Sequence, residues 1–128
     1  MNLQQAIRHC STRAYRHHEL NKIISVKEIK AYADLTGDFN PVHVEDNVVH
    51  GTFLLGLISG VIATNYPRAK LIDLSANFKQ ACRAETNINI KVSMPTNPRK
   101  ITVAPFVITS LEKEECIVDG NVKVLLRK

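Results

Sequence analysis

A chain of 128 residues is long enough for one domain with a real core and too short for two. Its 45% hydrophobic and 23% charged content is that of a globular protein. Of the 17 basic residues, Arg8, Arg13 and Arg16 stand in an acid-free stretch over residues 1–18; the remainder is nearly balanced and poor in aromatics, which argues against nucleic-acid binding.

Residues 1–18 read as a separate segment. They are basic, lack acids, contain Ser11 and Thr12, and place Leu3 and Ile7 one helical turn apart. That composition suits a mitochondrial transit peptide, with a basic N-terminal tail as the alternative. Cleavage is expected near Tyr15–Glu19, with the domain proper over residues 19–128 and a mitochondrial matrix location. His9, Cys10, His17 and His18 offer metal-binding atoms, but nothing downstream completes a zinc site. The three cysteines, Cys10, Cys82 and Cys116, form neither a disulfide framework nor a Cys-x-x-Cys pair, and a reducing compartment is the simplest reading.

From Glu19 to Ile24 the chain has a short extended character. Ser25-Val26-Lys27-Glu28 then forms a capping box, in which Ser25 accepts from the Glu28 amide and Glu28 reaches back to the Ser25 amide. Val26, Ile29 and Ala33, with Tyr32 beside them, fall on one helical face, and Gly37 is placed to end the helix in left-handed geometry. Leu35-Thr36-Gly37-Asp38-Phe39-Asn40-Pro41-Val42-His43 follows. Pro41 fixes its own φ and pushes Asn40 out of helical geometry, so a turn is expected here, not a continuing helix. A stiff turn can hold Asp38 and His43 on opposite walls of a small pocket, and carboxylate with imidazole is a common pair for moving a proton. By itself an Asp-x-x-x-x-His spacing also suits a turn-capping Asp and an ordinary surface His.

The link from Val44 to His50 is short, and its seven residues span roughly 23–25 Å when extended, enough to cross a small site. The second helix opens at Gly51 or Thr52 and runs through Phe53–Ala63. Its eleven apolar or small residues are too few for a bilayer span, which needs about twenty. Gly56, Ser59, Gly60 and Ala63 form a stripe of small side chains, expected to let the backbone pack closely against a sheet. The remaining runs, Lys70–Phe78, Asn87–Met94, Ile101–Leu111 and Cys116–Leu126, are rich in Ile and Val and read as strands. Pro105 implies an edge strand or a bulge. One apolar helix followed by antiparallel strands gives an α+β fold class. There is no Gly-rich phosphate loop, nucleophile elbow or dinucleotide fingerprint.

The string LTGDFNPVH, preceded by Ala31-Tyr32-Ala33-Asp34 and followed by His50-Gly51, resembles the hydratase-2 motif of MaoC-like dehydratases. The likeness runs from about Glu19 to the C-terminus, and Val118–Val124 is most like the mitochondrial hydroxyacyl-thioester dehydratase type 2 branch. The resemblance implies a single hot-dog fold, with an antiparallel sheet wrapped around the central helix. It also implies a (3R)-hydroxyacyl-thioester dehydratase, equally an (R)-specific enoyl-thioester hydratase, without cofactor or metal. Asp38 and His43 would be catalytic; Asn40 would orient the pair or its water; the Gly51 amide would receive the thioester oxygen. The implied partners are an acyl-CoA or acyl carrier protein substrate and a second copy of the chain in a homodimer. The mild basic bias suits either acidic carrier. Two departures qualify the likeness: relatives carry a longer connection before His-Gly, and they tend to have Pro at the position of Gln80 and Gly-Asp at Ala84-Glu85. The shortened connection leaves a non-catalytic acyl-binding protein as an alternative, and a hot-dog thioesterase is a second, which the retained motif argues against.

Overall fold

The computed structural model describes residues 14–127, and most of the 1–18 segment, including Cys10, lies outside them. The described chain runs β1 (Tyr15–Ile23), α1 (Val26–Thr36), α2 (Pro41–Val44), α3 (Gly51–Asn65), β2 (Lys70–Phe78), β3 (Asn87–Pro95), β4 (Ile101–Ser110) and β5 (Glu115–Leu125). The five strands form one antiparallel sheet in the order β1-β3-β4-β5-β2. β1 starts four residues ahead of the Glu19 boundary: Tyr15 to His18 pair with Pro95 to Val92.

The face of the sheet that packs on α3 is made by alternation. Ile88, Ile90 and Val92 of β3, with Ala104, Phe106 and Ile108 of β4, are buried, as are Val118, Val122 and Val124 of β5. They join Leu54, Ile58, Val61 and Ile62 of α3 in one core. Each Val, Leu, Ile or Phe among them contributes about 1.5–3 kcal/mol on burial. This is the α+β class that the order of elements implied, with the sheet packed on the central helix as the resemblance implied.

Two expectations are corrected in detail. The small stripe of α3 does not face the sheet: Gly56, Ser59, Gly60 and Ala63 are all exposed, and a Cβ at Gly56 or Gly60 would meet open space. The reason is the hydrophobic effect, since turning Leu54, Ile58, Val61 and Ile62 inward removes far more apolar area from water. Pro105 lies in β4, an interior strand. It is tolerated because the β3–β4 ladder ends next to it, at Val92 opposite Phe106. The bulge in β5 falls between the partners of Ile108 and Thr109, at Ile117, and Asp119-Gly120 stays in regular register. Gly120 is required there because a Cβ would come within 1.9 Å of the Ser75 carbonyl oxygen.

α1 begins as its sequence dictates. Ser25 Oγ accepts from the Glu28 amide at 3.1 Å, and Glu28 Oε1 accepts from the Ser25 amide at 3.0 Å. Gly37 closes the helix at φ 78°, its N–H donating to the Ala33 carbonyl. The helix therefore delivers Asp38 at its C-terminal end, and α3 begins thirteen residues later at Gly51. Among the described residues no helix is long and apolar enough to cross a membrane.

Candidate active site

The expected turn at Asn40-Pro41 is a single helical turn, α2. Asn40 is its N-cap, with Oδ1 accepting from the Val42 amide at 3.2 Å and Pro41 as the first helical residue. Proline suits that position because the first helical N–H has no partner in the helix. The Asn40 backbone N–H in turn donates to Asp38 Oδ1 at 3.2 Å. α2 carries His43 in its last turn, facing back toward Asp38.

Asp38 Oδ2 lies 3.9 Å from His43 Nε2. The imidazole is mostly buried and the carboxylate is half-exposed. His43 Nδ1 is 2.8 Å from the Val48 carbonyl, which can only accept, so Nδ1 carries the hydrogen and Nε2 is the open nitrogen of neutral His43. Val48 is held in turn by a bridge to Arg83, and the Val49 amide donates to the Cys82 carbonyl at 2.7 Å. The short 44–49 link thus reaches His50 and supplies the acceptor that fixes the tautomer of His43.

Gly51 opens α3 beside this pair. Among the described residues no hydrogen bond from its amide to another group is formed, as expected of a first-turn N–H. The glycine also makes room for a neighbour: a Cβ there would approach Phe78 Cε1 to 2.7 Å. Val42, His43, Val48, Val49, Gly51 and Phe78, with residues up to Cys82, line a cleft of about 460 Å³. The structure therefore brings His43 and Gly51 to one cleft, with Asp38 beside it through its 3.9 Å approach to His43.

A further residue joins them. His50 is 1% exposed, its Nε2–H donates to the Asp38 carbonyl at 3.0 Å, and its ring stacks on His43 at 3.9 Å between centroids. Sequence reasoning credited His50-Gly51 only with a backbone donor. The available signal was a histidine at a helix N-cap, where Ser, Thr, Asp or Asn is usual. Asp38, His43 and His50 each bring one ligand atom within 4.8 Å of the others, a donor set that a divalent ion accepts and that also suits proton transfer.

No protein-family model matches the chain. The 3-hydroxybutyryl-CoA dehydratase of Methylorubrum extorquens is 28% identical over 121 residues, spanning 85% of this chain and 77% of that protein. The mitochondrial 3-hydroxyacyl-[acyl-carrier-protein] dehydratase of Arabidopsis thaliana is 28% identical over 68 residues, 45% of this chain and 41% of the relative. Among solved structures, the (R)-hydratase from A. caviae involved in PHA biosynthesis superposes with a TM-score of 0.80 at 23% identity, covering 88% of this chain and 96% of that one. The fold is therefore the hot-dog fold, and the chain is similar in sequence to proteins named hydratases and dehydratases.

Proposed function

We propose that this chain is a hydro-lyase that interconverts a (3R)-hydroxyacyl thioester with a trans-2-enoyl thioester and water. The observation that carries this reading is the 3.9 Å approach of Asp38 Oδ2 to His43 Nε2, beside a cleft that His43 and the helix-opening Gly51 line. Dehydration takes a proton from the carbon next to the thioester and gives one to the departing β-hydroxyl, which leaves as water. Hydration is the reverse. A carboxylate and an imidazole with an open nitrogen can serve both transfers. The thioester oxygen gains negative charge as the α-proton leaves, and the Gly51 amide at the start of α3 is a donor suited to receive it. Asn40 supports the reaction through its backbone N–H to Asp38 Oδ1.

The finer assignments belong to the same proposal. The carrier is an acyl carrier protein in mitochondrial fatty acid synthesis, supported by the basic, acid-free stretch ahead of β1, with Arg8 and Arg13, and by the mitochondrial setting in the Arabidopsis relative's name. The active form is a homodimer whose acyl pocket draws on both copies. Its support is the unpaired outer edge of β2, with Leu71 and Ile72 exposed there, and the exposed Leu35, Phe39 and Phe78 around the motif and cleft.

The test is hydration of crotonyl-CoA, followed by loss of enoyl absorbance together with a thiol reagent. Absorbance loss without free thiol supports the hydratase; thiol release would support a thioesterase; no turnover by folded protein would support a non-catalytic acyl-binding role.

A further inference from the structure

His50 has no ordinary reason to be where it is. It is the N-cap of α3, yet its side chain makes no capping bond. The ring is 1% exposed and Nδ1 has no hydrogen-bond partner among the described residues. A buried, unpartnered nitrogen opposes folding, so an apolar ring would serve packing at least as well.

What the imidazole does instead is touch both members of the acid–base pair. The Asp38 carbonyl oxygen is an acceptor only, so His50 Nε2 must carry the hydrogen, in a 3.0 Å bond that spans twelve residues of sequence. The ring face lies on His43 at 3.9 Å with 24° between planes. The Tyr32 ring lies against it at 4.7 Å, and the Tyr32 hydroxyl donates to Thr52 Oγ1 at 2.7 Å, tying α1 to the first turn of α3. One side chain thus connects the Asp38 peptide, the His43 ring and the helix start that presents Gly51.

We propose that His50 is the positioning residue of this site: its Nε2–H sets the Asp38 peptide, and its face holds the His43 imidazole, so that the two proton carriers stay in reach of one substrate. This rests on the hydratase reading above. Nε2–H and the ring face are separable by substitution. His50→Gln keeps an amide N–H for the Asp38 carbonyl and removes the aromatic face. His50→Phe keeps a face for His43 and removes both the donor and the unpartnered Nδ1.

The experiment measures kcat, KM and thermal midpoint for wild type, H50F and H50Q, and repeats H50F in the Asp38→Asn background, with crotonyl-CoA as substrate. H50F is expected to lower kcat about 10- to 100-fold, the scale of a misplaced catalytic group, with KM within about threefold and a midpoint close to wild type. H50Q should recover part of that loss. In the D38N background, H50F should cost much less than it does alone, because the peptide it orients no longer carries a working carboxylate. The proposal is overturned if H50F keeps kcat within twofold, if its loss is entirely in KM, or if its effect is undiminished in D38N. It is equally overturned if both variants fail to fold, which would place the contribution of His50 in the core. Inactive wild-type protein would instead remove the hydratase reading itself.

Discussion

His43 and Val48 are joined by a 2.8 Å hydrogen bond from the imidazole Nδ1–H to the Val48 carbonyl, and this bond decides which nitrogen faces Asp38. With Nδ1–H engaged, Nε2 is the proton acceptor of neutral His43. The acceptor comes from the shortened connection itself. The compact link therefore keeps the part of the connection that orients His43.

Gly51 offers a test in which size and hydrogen bonding can be separated. A Cβ at this position would press on the Phe78 ring, so Gly51→Pro alone would confound the lost amide with a steric change. Gly51→Ala supplies the control: Phe78 is more than half exposed, and its ring can move. Pro is tolerated in a first helical turn, so G51P should fold. We expect kcat of G51P to fall at least about tenfold below that of G51A, approaching the 10²–10³ scale seen when an oxyanion donor is removed. Equal kcat in the two variants would remove the amide from the mechanism.

The capping box makes a stability prediction with a defined pH dependence. Ser25→Ala removes the acceptor for the Glu28 amide and should cost about 1 kcal/mol in urea unfolding, with kcat unchanged. The Ser25 amide and then Lys22 hold the Glu28 carboxyl below the usual glutamate range. A lowered folded value means the carboxylate's contribution is present above the unfolded value and disappears as pH falls through the folded one. Glu28→Gln should therefore destabilise slightly at neutral pH and not at all in strong acid. Solvent exposure of the pair keeps the effect small. A penalty that grows toward acid would contradict this assignment.

Much of the fold could be read from local chemistry. Ser25, Glu28 and Gly37 mark both ends of α1, and the Ile/Val runs mark β2 to β5 within a residue or two, because capping and period-2 patterning are properties of adjacent residues. The orientation of α3 could not be read so directly. Its outward small stripe and inward Leu/Ile/Val stripe lie on one helix that is apolar all round, and only the sheet decides between them. At the site, Asp38, Asn40 and His43 share one turn and were visible as a string. The contact of His50 with Asp38 joins positions twelve apart through a ring buried by tertiary packing, and no local pattern announces it.

Cys82 lines the same cleft and is 3% exposed. Burial pushes its thiol up to about 11, which leaves very little thiolate at pH 8. Iodoacetamide should therefore label Cys82 about two orders of magnitude more slowly than an unfolded control, read by peptide mass spectrometry. Rapid labelling of native protein would show that the thiol is more open and more ionised than the packing allows.

The central claim is that Asp38 and His43 act together on one thioester. Asp38→Asn and His43→Gln preserve shape and some hydrogen bonding while removing proton exchange, and neither group belongs to the capping box or the buried face of α3. The most direct measurement is kcat for crotonyl-CoA hydration by wild type, D38N, H43Q and the double variant, with folding checked by circular dichroism. Each single substitution should lower kcat by about 10² or more, the usual scale of general acid–base catalysis. The double variant should be far less impaired than the product of the singles, because both residues serve one reaction coordinate. Near-normal turnover in either single variant, or losses that follow only from unfolding, would contradict the account.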